Sequence, residues 1–130
     1  MRLRIATHLY SVLSQDETIV AKVGDNIYPV ATKVEKAFPL ILYERDTVTS
    51  RYDKDGCAYV ESDATVFVIS EDYTEGVDIA EAVIDALDRK EATYDDFDVL
   101  DCVQTGAVEG YQDRSFVQQV QFHFITSIKQ

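Results

Sequence analysis

The sequence predicts an α+β domain, in which a largely antiparallel sheet of four to five strands carries two main helices packed on one face. Three observations lead there. Apolar residues recur at helical spacing near the N-terminus and again between residues 74 and 90. Alternation marks long segments around Val66 and Phe122, and polar turn clusters divide these segments into hairpins. The predicted order is α-(short α)-β-β-β-α-β-β, and 130 residues with 46% hydrophobic content suffice for one core, so residues 1–130 are read as a single domain.

The first helix is predicted over Leu3–Ser14, where Ala6, Leu9, Tyr10 and Leu13 fall on one stripe. A short helical stretch, Glu17–Val23, is stopped at Gly24, which is expected to take positive φ as a C-terminal cap. Asn26–Val30 then reads as a short extended piece, an edge strand or a buried connection, with Pro29 blocking helix continuation. Pro39 opens the strand PLILYERD, and the polar run TSRYDKDG leads into a second strand, CAYVESDATVFVIS, as a hairpin. In that second strand Val60, Ala64, Val66 and Val68 share one face, while Glu61, Asp63 and Thr65 share the other.

The next helix is predicted from Thr74 to Lys90, capped by Asp72 or Thr74, with Glu75 near its positive end. Val77, Ala80, Ile84 and Leu87, broadened by Val83, form its apolar stripe, and Asp78, Glu81, Asp85 and Asp88 form an acidic one read as a solvated face. Two last strands, Phe97–Val108 and Arg114–Ile128, are joined through EGYQD with Gly110 as the turn residue. In the final strand Phe116, Val120, Phe122 and Phe124 point to the core; Val117, Gln119, Gln121, His123 and Ile125 point to a mostly wet face.

Charge narrows the function classes. With 24 acidic against 12 basic residues, the net charge of −12 repels a phosphate backbone, which argues against specific nucleic-acid binding. No export signal and no bilayer-spanning apolar run is found, so a soluble intracellular protein is expected. Cys57 and Cys102 stand alone and are read as small buried hydrophobes in a reducing compartment.

No catalytic or metal-binding constellation emerges. DKDG fails as a calcium loop because Arg51 and Ser62 fall where carboxylates are needed, leaving a hairpin turn with Asp55-Gly56 suited to positive φ. His8 and His123 lack ligand or nucleophile neighbours. In YDDFDVLD, Asp96 and Asp98 point to one side of a strand and Asp101 to the other, so they do not converge. The expectation is therefore no enzyme, no cofactor and no metal.

The order of these pieces, the N-terminal helix, VGDNIYP, PLILYER, a strand with FVIS, DIAEAVIDALD and a closing Phe-rich strand, resembles the small tail-completion or tail-terminator proteins of long-tailed bacteriophages, common in bacterial genomes as prophage genes. The resemblance runs from Leu3 to Thr126, and Val23, Gly24, Ile27, Tyr28 and Pro29 match the family's Val-Gly-x-x-Ile-Tyr-Pro-like segment. It implies a non-enzymatic virion assembly protein that forms a ring, a homo-hexamer, on the head-proximal end of the tail tube. There it would terminate tube polymerisation and join tail to head, with the tail-tube protein and a head-tail connector as partners and DNA passing without specific binding. It further implies residence in the bacterial cytoplasm during assembly and then in the virion tail.

Within that reading, Glu61, Asp63, Gln119, Gln121 and His123 are the expected channel-lining face. Tyr52, Asp53, Lys54, Tyr111 and Gln112 are the expected partner-contact hairpin tips, the first of them on the long polar hairpin Asp46–Gly56. The alternatives are a head-side neck protein of the same virus, a small metal-dependent enzyme using the Tyr94–Asp101 carboxylates, and a host ligand-binding domain.

Overall fold

The computed structural model describes residues 2–29 and 38–129, so the expected extension of the first short strand to Val30 lies outside the described residues. Helix α1 spans Ile5–Gln15 and α2 spans Glu17–Val23. Strand β1 is Ile27–Pro29, β2 is Leu40–Asp53 and β3 is Gly56–Ser70. Helix α3 covers Tyr73–Leu87, followed by β4 at Ala92–Thr93, β5 at Phe97–Gln112 and β6 at Ser115–Ile128.

The strands form one six-stranded mixed sheet in the order β1-β2-β3-β6-β5-β4. This corrects the expectation of four to five largely antiparallel strands in two respects. Strand β4 has only two residues, too few for an alternation signal, yet it pairs with Val99 and Asp98. Strand β1 pairs with β2 in parallel, Ile27 beside Ile41, because the two are not joined as a hairpin.

Both long hairpins run further than their polarity suggests. Residues 46–53 continue β2 instead of forming a loop, and β5 continues past Val108 to Gln112. The turn expected at Gly110 lies at Asp113 and Arg114, with φ of 51° and 66°. A two-residue turn whose φ is positive at both positions matches the strand twist, and the pairing of Gln112 with Ser115 fixes it there, leaving Gly110 in the ladder opposite Val117.

All three helices lie on one sheet face. In α1 the buried set is Ile5, His8, Leu9 and Leu13, so the stripe is rotated from the predicted one, and Tyr10 stands half-exposed at the rim beside Tyr43. In α3 it is Gly76, Ile79, Ala80, Val83 and Leu87, with Val77 and Ile84 on the flanks. Asp72 caps α3 by accepting from the Glu75 N–H at 2.8 Å, as Asp16 caps α2 from Ile19 at 3.0 Å. The helices meet Val66, Val68, Val120, Phe122, Phe124 and Cys102 from the sheet in one buried cluster.

The stop between α2 and β1 has the predicted form. Gly24 has φ of 59° and its N–H bonds the Val20 carbonyl at 2.8 Å, after which Ile27 enters the core. A side chain at Gly24 would meet no atom within 4 Å, so the cost of adding one is carried by the backbone. Gly24→Val should destabilise the fold by about 1 kcal/mol or more, read as a lower urea midpoint at unchanged slope; an unchanged midpoint would remove the argument.

Candidate functional site

The sheet face opposite the helices is where the expected site residues gather. Its register places Asp63 beside His123 and Glu61 beside Ile125, with Gln121 and Gln119 further along β6 on the same face. The five expected channel residues therefore do share one surface. At its centre His123 Nδ1 lies 2.7 Å from Asp63 Oδ1 and Nε2 lies 3.5 Å from Glu61 Oε1, while Arg51 Nε donates to Glu61 Oε2 at 2.6 Å. Arg51, a residue with no expected role in this face, closes the network from β2.

The charges settle each other. The Asp63 hydrogen bond holds the His123 pKa above its ordinary value against some desolvation, and the Arg51 hydrogen bond holds Glu61 below the usual carboxylate range. Nearby, Thr65 is buried and donates to Asp46 Oδ2 at 2.6 Å. Partial desolvation, then the hydrogen bond with Asp46, raises the Glu44 pKa.

This face is not wet throughout, which corrects the sequence reading. Towards the β5–β6 turn, Leu40 pairs with Ile69 and Leu42 with Phe67, and Ile69 and Phe67 pair in turn with Val117 and Gln119. Five of those six partners are apolar, and four of them, Leu40, Leu42, Ile69 and Val117, gather at one end of strands whose other face is core. They floor a cleft of about 370 Å³ bounded by Phe38, Gln112, Asp113 and Ser115. Gln119 thus sits at the apolar end, away from the His123 network.

The two expected contact tips stand at opposite ends of the sheet. At one end Tyr52 is 65% exposed and holds Arg2, whose Nη1 donates to its hydroxyl at 2.7 Å and whose guanidinium lies 5.5 Å from the ring centre. Asp53 accepts from the Asp55 N–H and closes the turn around Lys54. At the other end Tyr111, 63% exposed, leans on Phe116, which Tyr73 meets edge-on, and Gln112 borders the apolar cleft.

The remaining candidates are structural. Ile27 is buried, Tyr28 donates to Asn26 Oδ1, and Pro29 ends β1. Asp98 faces Lys129 at 3.3 Å, Asp101 faces Arg89 at 3.3 Å, and among the described residues no group of His, Cys, Asp or Glu has metal-holding geometry. Asp88 leaves the solvated stripe of α3 to accept from the Gln104 N–H. Cys102 is buried, its thiol pKa pushed up to about 12 by burial and then by Asp88 and Asp101; Cys57, expected to be buried too, is partly exposed because its strand end overhangs the helices' cover.

The family Tail completion protein gp17 matches residues 7–128. The chain belongs to that family. A chain of the "Virion of native gene transfer agent (GTA) particle" has the same fold, with a TM-score of 0.77 at 18% identity over 92% of each chain. No curated protein matches. This gp17-family chain is accordingly a structural tail protein, and no described helix is long and apolar enough to cross a membrane.

The two histidines of this gp17-family chain should titrate on opposite sides of 6.5. His8 is 1% exposed, with Nδ1 2.7 Å from the Tyr94 hydroxyl and Nε2 unpartnered, and burial lowers its pKa to about 4. Because the unfolded chain binds that proton more tightly, His8 costs nothing above pH 6.5 and withdraws stability as pH falls towards 4, on the order of 3 kcal/mol in all. His123 acts in the reverse sense, adding stability below 6.5 that is lost as pH rises through its raised value. Imidazole NMR titration should separate the two, and His8→Phe should flatten the urea-midpoint decline between pH 6.5 and 4.5. Two coincident titrations near 6.5 would contradict these environments.

Proposed function

We propose that the protein closes the head-proximal end of the tail tube as a ring of six subunits, ending tube polymerisation and offering the surface on which the head joins. Family membership supports the tail role, and the resemblance of the sequence supports the ring and its count. The observation that carries the reading is a sheet that, among the described residues, is covered by helices on one face only, and whose bare face holds Glu44, Asp46, Glu61 and Asp63 against Arg51 and His123. A wall of that charge repels phosphate, so DNA passes without sticking. The bare face lines the channel, the acidic stripe of α3 faces outward, and the tail-tube protein and a head-tail connector meet the two ends of the ring.

A null allele in the parent particle should give tails of uncontrolled length that fail to attach to heads, seen by electron microscopy. Tails of normal length joined to heads would overturn the reading. The channel assignment is tested separately. Glu61 and Asp63 are engaged with Arg51 and His123, so reversing them disturbs the monomer, whereas Gln121 is exposed and makes no ion pair. Gln121→Lys should leave monomer melting unchanged and reduce infectious or transducing yield by holding DNA in transit. An outer-wall position for Gln121 in the assembled ring would refute the lining.

A further inference from the structure

Among the described residues, the outer edges of the long strands β2 and β5 are only partly used. On one side β1 covers β2 only from Ile41 to Tyr43. On the other, β4 covers β5 at Asp98 and Val99, and the end of α3 covers the next stretch, with Arg89 N–H bonding the Cys102 carbonyl at 2.7 Å and Asp88 accepting from Gln104 N–H at 2.9 Å. Beyond those points, among the described residues, no hydrogen bond reaches the outward backbone groups of either strand.

A bulge at each boundary decides which residues those groups belong to. In β2, Ile41 faces β1, its N–H bonding the Asn26 carbonyl; the register shift between Arg45 and Val48 exchanges the outward set, leaving Val48, Ser50 and Tyr52. In β5, Cys102 and Gln104 face outward, and the shift between Gln104 and Gly106 leaves Ala107, Glu109 and Tyr111. Each set alternates with residues bonded to the neighbouring strand.

The side chains of the two sets fall on the same face. Val48 and Ser50 pair with buried Ser62 and Val60, and Ala107 pairs with buried Val120, all on the helix side. Opposed residues of an antiparallel pair put their side chains on one face. Joining the two edges therefore requires a neighbour with its helices on the same side, and the bare faces become one surface.

We propose that the edge Val48–Tyr52 pairs antiparallel with the edge Ala107–Tyr111 of a second copy, Ser50 opposite Glu109. Charge selects this register. Arg2 Nη1 lies 3.3 Å from Ser50 Oγ, and Glu109, exposed and held anionic by Gln118 and Tyr73, arrives beside it. Val48 then faces Tyr111 and Tyr52 faces Ala107, with on the order of six backbone hydrogen bonds across the junction. The contact is heterologous, so repetition gives a ring if it closes and an open array if it does not. Closure rests on the ring reading above; the junction does not.

The test is native mass spectrometry and electron microscopy of the purified full chain. Ala107→Pro removes an outward N–H without touching the β6 ladder. It should reduce assembly about tenfold or more while the monomer keeps its melting temperature. Arg2→Glu and Glu109→Arg should each weaken assembly and together restore it, which decides the matter should the proline variant fold poorly. Wild-type assembly in both single charge variants and in a folded Ala107→Pro would overturn the junction and leave the ring standing. Open arrays that these variants abolish would keep the junction and overturn the ring, and a wild type monomeric even with tail tubes present would overturn both.

Discussion

The ladder between β3 and β6 is the constraint on which the rest depends. Eleven consecutive antiparallel pairs, Val60 with Thr126 through Ser70 with Phe116, run without a bulge through the middle of the sheet. Because side chains alternate, a slip of either strand by one residue would send its core set, Val66 and Val68 or Phe122 and Phe124, to the bare face and bring Asp63, or Gln121 and His123, beneath the helices. The burial of charge that would follow makes the observed register the only one compatible with a core. Irregularity is confined to the β2–β3 and β5–β6 ladders flanking it, where shifts in pairing cost less of the core.

The helices seal that choice from one side. Leu9, Leu13 and Ile19 from the N-terminal pair and Ile79, Val83 and Leu87 from α3 are all buried against the sheet. His8 among them shows a compromise: its ring packs edge-on against Tyr94 and Phe124 while Nδ1 is partnered and Nε2 is not. An imidazole with one buried nitrogen unsatisfied is tolerable only while uncharged. The bare face is held together differently, by cross-strand pairs of opposite charge such as Arg51 with Glu61, which suit a surface that stays near water.

Much of this was legible in the sequence, and the failures have separate causes. Alternation in β3 and β6 identified both faces because each strand has one buried side. Gly24 was legible because a helix stop followed by Ile27 and Pro29 leaves few other backbone solutions. The β5–β6 turn was misplaced because Gly110 is an obvious turn residue, whereas Asp113 and Arg114 reach positive φ only under the demand of a two-residue hairpin. Tyr10 was assigned to the core because period alone cannot distinguish a stripe centred on Leu9 with His8 from one centred on Leu9 with Tyr10. The His123 network was half visible: Asp63 and Glu61 were on the right face, but Arg51 joins them through a hairpin whose length polarity concealed. The parallel placement of β1 depends on a chain path that no local pattern encodes.

The difference between the two thiols has a practical side. Cys102 is shut inside the core and its proton is held far above neutral pH, so it is inert to alkylating reagents while the chain is folded. Cys57 is partly exposed at the base of the β2–β3 turn, with only a weak 3.6 Å contact from its sulfur to the Tyr59 carbonyl. The natural sequence therefore carries one addressable handle at one end of the sheet, far from Tyr111 at the other. A fluorophore attached there would report the spacing between neighbouring copies during assembly without any cysteine having to be introduced or removed.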